Sequence, residues 1–249
     1  MEKDDAIKLL KGPYGREIAN IARDYTSAIY WISPKKQKIN NGSIFFLDFG
    51  NGPFAVTADH VYQGYLDSKA DDPSTKCQIG NIVFSPQERL IDRDTKIDVA
   101  TFSVKNKEIE IDKKTVHMVD TRNWPPKPPE VGKGIFFAGY PGGYRTAQIR
   151  KGVEVNFGTY FSVLVATSVK DNDIICQYER NEIINMFVDS ELPYPQNLGG
   201  LSGAPLWTLV QTNIFSWRLG GIIYQFSPDF ELLYARRPDC LLADGRIKK

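Results

Sequence analysis

Three residue types in this chain could act together on a carbonyl carbon: a serine set among glycines, a histidine where an apolar run ends, and an aspartate among small apolar residues. The serine is Ser202, in Asn197-Leu198-Gly199-Gly200-Leu201-Ser202-Gly203-Ala204-Pro205. A hydroxyl is a poor nucleophile at neutral pH unless a base takes its proton, and the base must be oriented by a third group. Glycines at 199, 200 and 203 open backbone angles closed to other residues and let a carbonyl approach main-chain N–H groups, so nucleophile and anion site would share one loop. The chain has only 2 histidines, which makes the search for the base short. His60, in Thr57-Ala58-Asp59-His60-Val61, follows the apolar run Phe54-Ala55-Val56, where a ring can sit in a cleft with one nitrogen free. His117, in Lys113-Lys114-Thr115-Val116-His117-Met118, lacks such a setting and is read as non-catalytic. Asp98, in Ile97-Asp98-Val99-Ala100-Thr101-Phe102, is the candidate third group, because a buried carboxylate is costly without a partner such as an imidazole N–H. Taken segment by segment, plainer readings stay open: a β-turn at 197–205 and an exposed aspartate at a strand start.

The elements that must hold these groups are short strands. Runs at 28–32, 43–49 and 54–57 are β-branched and aromatic, separated by Pro34, Asn40-Asn41-Gly42 and Gly50-Asn51-Gly52-Pro53. Such punctuation means antiparallel β, with a hairpin at Asn51-Gly52. Ile82-Val83-Phe84 is a further strand, and Asp92-Arg93-Asp94 reads as solvated charge. Trp124-Pro125-Pro126-Lys127-Pro128-Pro129 cannot lie inside a sheet, so it reads as a connector between two halves, with a proline-motif ligand as the alternative. Beyond it, six short runs at 134–139, 153–157, 160–168, 174–178, 206–210 and 221–226 would make one barrel. Ahead of all this, 4–11 and 16–25 have helical composition, broken at Gly12-Pro13, with Ile18, Ile21, Ala22 and Tyr25 on one face. The expected division is a helical arm at 1–25, a first half at 26–123, the connector at 124–130 and a second half at 131–249.

Composition narrows the partners. With 249 residues, 42% of them hydrophobic, the chain can bury a sizeable core. Its formal charge of +1 gives no overall field favouring nucleic acid or an anionic membrane. No apolar run resembles a signal-peptide core or is long enough to span a bilayer, so a cytoplasmic location is expected. Cys77, Cys176 and Cys240 are too few and too scattered for a disulfide framework or a zinc site and read as free thiols.

Thr57-Ala58-Asp59-His60-Val61, Asp98-Val99-Ala100 and Gly200-Leu201-Ser202-Gly203-Ala204-Pro205, in that order, resemble the three signature segments of trypsin/chymotrypsin-like serine peptidases, nearer the bacterial and heat-shock-type branch than the secreted digestive one. Gly139-Tyr140-Pro141 also resembles a segment of that branch, and the resemblance covers about residues 26–242. It implies an all-β fold of two antiparallel six-stranded β-barrels with the active site in the cleft between them, the helical arm lying outside. It implies catalysis by His60, Asp98 and Ser202, an oxyanion hole made by the backbone N–H groups of Gly200 and Ser202, and no cofactor or metal. Gln196 resembles the floor of the primary specificity pocket, and Tyr224, Gln225 and Phe226 the strand lining it. A floor without a carboxylate argues against arginine or lysine selectivity, and Phe226, where glycine is usual, would narrow the pocket toward small or medium apolar side chains.

The departures from the family pattern carry expectations of their own. Leu201 stands where cleavage-activated members have an aspartate that binds a new amino terminus, and no Ile-Val-Gly-Gly type of start is present, so zymogen cleavage of that kind is not expected. Without that ion pair the glycine peptides at 197–200 would be free to flip, giving low basal activity until a regulatory protein or fused domain, docked on the helical arm, steadies them. The other reading of that arm is a helix packed on the barrel for stability alone. Asp59 beside the histidine either perturbs the base or faces solvent, and Ala204 replaces a more usual glycine. The favoured function is a serine endopeptidase acting on protein or peptide; a peptidase-fold module that only binds peptides, and an esterase with the same three residues, are the alternatives.

Overall fold

Short runs of β-branched and aromatic residues, several of them buried along nearly their whole length, build two β assemblies in the computed structural model, which describes residue 8 and residues 10–149, 153–178, 198–211 and 215–249. The first contains β1 (Ser27–Ser33), β2 (Lys38–Asp48), β3 (Phe54–Thr57), β4 (Lys76–Ile79), β5 (Ile82–Phe84), β6 (Leu90–Asp94), β7 (Val99–Ser103) and β8 (His117–Met118). These form an eight-stranded sheet in the order β5-β4-β1-β2-β3-β7-β6, with β8 added in parallel to β2. The second contains β9 (Gly134–Gly139), β12 (Tyr160–Val169), β13 (Asp173–Gln177), β14 (Pro205–Gln211), β15 (Phe215–Ser227) and β16 (Leu232–Arg236), closed in the order β12-β13-β16-β15-β14-β9. Between β9 and β12 in the chain, β10 (Arg145–Ile149) and β11 (Val153–Phe157) pair only with each other.

One six-stranded barrel is therefore present, while the first half is a curled open sheet rather than the second closed barrel expected. Its outer strands β5 and β6 do not pair with each other. The helix Asn106–Asp112 packs against β5 and the helical turn Pro86–Arg89 against β7. In the second half, five of the six runs expected to form the barrel do so. The run at 153–157 leaves with β10, and Leu232–Arg236 takes its place.

Asn40-Asn41-Gly42 is not a turn either. The chain reverses at Pro34–Gln37, where Gln37 adopts φ 49° and its N–H reaches the Pro34 carbonyl at 3.3 Å, leaving residues 40–42 inside β2. Gly42 is needed there because a Cβ would lie 2.5 Å from Val61 Cγ1. The Gly50-Asn51-Gly52 hairpin holds as read, with Asp48 Oδ1 accepting the N–H groups of Gly50 and Gly52 at 2.6 and 3.1 Å.

Helix α1 (Pro13–Asp24) starts with a proline in its first turn, where the missing N–H costs nothing. Ile18, Ala19 and Ala22 are buried in a cluster that also takes Phe136, Ala138 and Phe161 from the barrel and Phe45, Leu47 and Val99 from the open sheet. Tyr25 packs its ring 5.2 Å from that of Trp207. Ile18, Ala22 and Tyr25 of the expected apolar face are thus packed within the chain, and Ile21 is half-buried. Residues 124–130 carry neither helix nor strand, and Trp124 seats edge-on against Phe49 while its Nε1 donates to the Leu241 carbonyl at 3.2 Å. After β16 the chain returns to the open sheet: Thr101 Oγ1 donates to the Gly245 carbonyl at 2.6 Å, and the Ile247 N–H to Asp92 Oδ2 at 3.0 Å. Asp92, expected to be merely solvated, holds that return.

Candidate active site

β3 ends at Thr57, Ala58 is extended, and helix α2 (Asp59–Asp71) begins at once, so His60 lies in the first turn of a helix rather than at a strand end. Asp98 arrives from the turn before β7 with φ 61°, a left-handed conformation that aspartate tolerates better than bulkier residues. Its two oxygens divide the work. Oδ1 accepts the His60 backbone N–H at 2.9 Å, and Oδ2 lies 2.8 Å from His60 Nδ1. With the carboxylate ionised, Nδ1 carries the proton and Nε2 is left as an acceptor. Burial pushes the Asp98 carboxyl up, but the hydrogen bonds and charge of His60, with the charge of Arg236, outweigh it and hold the group below the usual carboxylate range. Arg236 reaches across from the barrel, its Nε donating to the Ile97 carbonyl at 2.7 Å and its Nη1 to Asp173 Oδ1 at 2.7 Å.

Asp59 does not face solvent. It is buried and held by Arg93 through Nε at 2.6 Å and Nη2 at 2.7 Å, a bidentate pair, with the guanidinium also lying 5.0 Å over the Tyr62 ring. The pair fixes the start of α2 and therefore the base of the His60 side chain.

Ser202 sits in the turn leading into β14. The Leu201 N–H closes that turn onto the Leu198 carbonyl at 3.1 Å, with Gly200 at φ 103°. The Ser202 carbonyl accepts the Ser43 N–H at 2.8 Å, the Gly200 carbonyl accepts Ser43 Oγ at 2.8 Å, and the Gly199 carbonyl accepts the Gly142 N–H at 2.7 Å. A planar trans peptide turns the Gly200 N–H away from the Gly199 carbonyl. Among the described residues neither the Gly200 nor the Ser202 N–H donates to an acceptor, so two donors on one loop are left open. The peptides that the glycines leave free to flip are held here from outside the loop. At Gly203, φ is 91° and a Cβ would lie 2.0 Å from the Ser43 carbonyl oxygen and 2.2 Å from Thr57 Oγ1, so only glycine lets the loop lie against the strand end before His60. The Ser202 hydroxyl itself donates to the Tyr224 carbonyl at 3.3 Å, and none of the hydrogen bonds among the described residues joins it to His60.

Beside Ser202 opens a cavity of about 500 Å³ whose described lining includes Leu198, Ile223, Tyr224, Gln225, Phe226 and Leu233. Tyr224, Gln225 and Phe226 are thus where the pocket was expected, and Gln196 lies outside the described residues. Nothing in the described lining carries a charge.

In fold the chain is similar to a solved structure, the Rv3671c protease from M. tuberculosis in its active form, at 15% identity and a TM-score of 0.52, covering 91% of this chain and 82% of that one. The fold is shared with a serine protease. No family model and no curated protein matches the chain.

His117 is wedged edge-on between Tyr25 and Trp207, and burial pushes its pKa down to about 4. Cys77, Cys176 and Cys240 are free, and burial raises each thiol, to about 12 for Cys176 and Cys240. No helix among the described residues is long and apolar enough to cross a membrane. Four residues that shape the site, Asn41, Ser43, Arg93 and Arg236, were not singled out as site residues in the sequence. Asn41 read as turn composition and Arg93 as surface charge, and nothing local marks Ser43 or Arg236.

Proposed function

We propose that this chain is a serine endopeptidase. The reading is carried by one observation: among the described residues, the N–H groups of Gly200 and Ser202, on the loop that bears the Ser202 hydroxyl, have no acceptor. In the reaction the hydroxyl turns from the Tyr224 carbonyl toward His60, Nε2 takes its proton, and the oxygen bonds to the peptide carbonyl carbon. The resulting oxyanion is received by the two N–H groups, each such donor contributing about 3 kcal/mol in comparable sites. His60 then gives its proton to the leaving nitrogen as the C–N bond breaks, and water repeats the sequence in reverse on the acyl-enzyme. Asp98 keeps the imidazole in the tautomer that makes this possible. The described lining of the pocket, which carries no charge, supports a small or medium apolar side chain on the acyl side of the scissile bond.

A second reading, a silent module that only binds peptides, is favoured by the Ser202 hydroxyl being engaged with Tyr224 rather than His60. Labelling with a fluorophosphonate separates the two: wild type should label and Ser202→Ala should not. Absence of label on folded wild type would leave the binding module. A peptide-library digest of the labelling-competent enzyme then distinguishes a peptidase, cutting after apolar residues, from an esterase that cuts none.

A further inference from the structure

Beneath the Ser202 loop, Leu201 is 1% exposed and packed among apolar side chains, so it supplies no charge to steady the loop. The loop is held instead from β2, on the other half of the molecule. Ser43 is wholly buried and uses every polar group it has. Its N–H donates to the Ser202 carbonyl at 2.8 Å and its hydroxyl to the Gly200 carbonyl at 2.8 Å. That hydroxyl also accepts the Tyr140 N–H at 3.1 Å, and its carbonyl accepts Thr57 Oγ1 at 2.6 Å.

Asn41, two residues earlier and on the same side of the strand, clamps the opposite end of the Tyr140 main chain. Its Nδ2 donates to the Tyr140 carbonyl at 2.7 Å, and Arg145 Nη1 fixes its Oδ1 at 2.9 Å. Tyr140 is therefore gripped at both its N–H and its carbonyl. Gly142, next but one, is the residue whose N–H holds the Gly199 carbonyl. The same two groups wall in Gly200: a Cβ there would lie 2.5 Å from the Tyr140 oxygen and 2.6 Å from Asn41 Nδ2. A rotation of the 199–200 peptide would break the Gly142 contact against a wall that does not move.

We propose that Asn41 and Ser43 are positioning residues for the oxyanion-binding loop, setting the direction of the Gly200 N–H through Tyr140 and Gly142. The kinetic consequence rests on the serine-hydrolase reading; the geometric one does not. Asn41→Ala and Ser43→Ala should each lower kcat by roughly 10- to 100-fold, a part of the loss seen when an oxyanion donor is removed outright. KM should change by less than about threefold, because the substrate is bound before the oxyanion forms. Asn41→Asp keeps an acceptor for Arg145 but loses the donor to Tyr140, so it should fall with Asn41→Ala. An Asn41→Asp enzyme with wild-type kcat would overturn the proposal.

A second readout works without turnover. In the Ser202→Ala background, the backbone amide resonances of Gly200 and Gly142 should shift or broaden, and their hydrogen exchange quicken, when Asn41 is changed to Ala. If wild type fails to label with fluorophosphonate while these amides respond, the hydrolase reading falls and the positioning role stands. If wild type labels, but the variants keep kcat within twofold and leave both amides unmoved, the positioning role falls and the hydrolase reading stands. Should the buried Ser43→Ala variant not fold, the half-buried Asn41 variants carry the test alone.

Discussion

The half that bears Ser202 closes into a barrel, whereas the half that bears His60 and Asp98 stays open. The two candidate proton-handling residues sit in the first turn of α2 and in a left-handed turn, and hold each other through two hydrogen bonds. Ser202 sits on the lip of a closed barrel yet takes its placement from β2 of the open sheet. Arg236 returns the favour from the barrel to the backbone beside Asp98. Neither half is complete in itself: hydrogen bonds crossing between them fix the geometry, and the apolar cluster around α1 sets only their approach.

The sharpest way to break this comparison is to remove one group from each half. Ser202→Ala and His60→Ala should each reduce turnover by roughly 10⁴- to 10⁶-fold, and the double variant should be little worse than either single one. Losses that multiply in steady-state assays would mean the halves act independently. Next in size, Asp98→Asn should cost about 10⁴-fold in kcat through the wrong imidazole tautomer. Arg236→Met, which cuts the crossing bond but leaves Asp98 in place, should cost far less, about tenfold, in line with a lost charge-assisted hydrogen bond. Equal losses for the two would show that Arg236 does more than steady the turn.

The smallest effect belongs to the histidine outside the site. His117→Phe should leave kcat/KM within about twofold of wild type. It should change the response to acid, because the folded pKa of about 4 lies below the unfolded value near 6.5. The unfolded chain then takes up the proton first, so the stability His117 contributes is intact above about pH 6.5 and is lost as pH falls toward 4. That loss is on the order of 3 kcal/mol, and urea unfolding at pH 7 and pH 4.5 should show it in wild type and much less of it in the phenylalanine variant.

Much of the candidate site was legible because it is local in composition. The glycines around Ser202 and the small residues before His60 and after Asp98 mark backbone that must pass close to other backbone. The α2 helix was not legible, for it has no side-chain cap of its own and starts from Ala58. Its first-turn N–H is met by Asp98, a partner 38 residues away that no local pattern announces. Closure of the first half was not legible for a similar reason: whether β5 meets β6 is a long-range pairing that no local pattern announces. Asn41 and Gly42 have the composition of a turn, but Val61 demands a residue without a Cβ at 42 and Tyr140 takes the amide at 41. Asp59 and Arg93, both plausible as surface charges, satisfy each other out of water.

The return of the chain after β16 has a consequence for how the molecule is made and how it comes apart. Leu241 and Ile247 pair across a bridge and sink into the cluster shared by both halves, while Asp92 and Thr101 bind the backbone between them to the open sheet. The two halves should therefore melt in one calorimetric transition, and two resolved peaks would contradict that. During synthesis, the half carrying His60 and Asp98 emerges early but lacks its clasp until residues 241–247 have followed. On the serine-hydrolase reading, a nascent chain would thus hold all three candidate catalytic side chains before it holds the frame that aligns them, and hydrolytic capacity would arrive only once residues 241–247 had bound the open sheet.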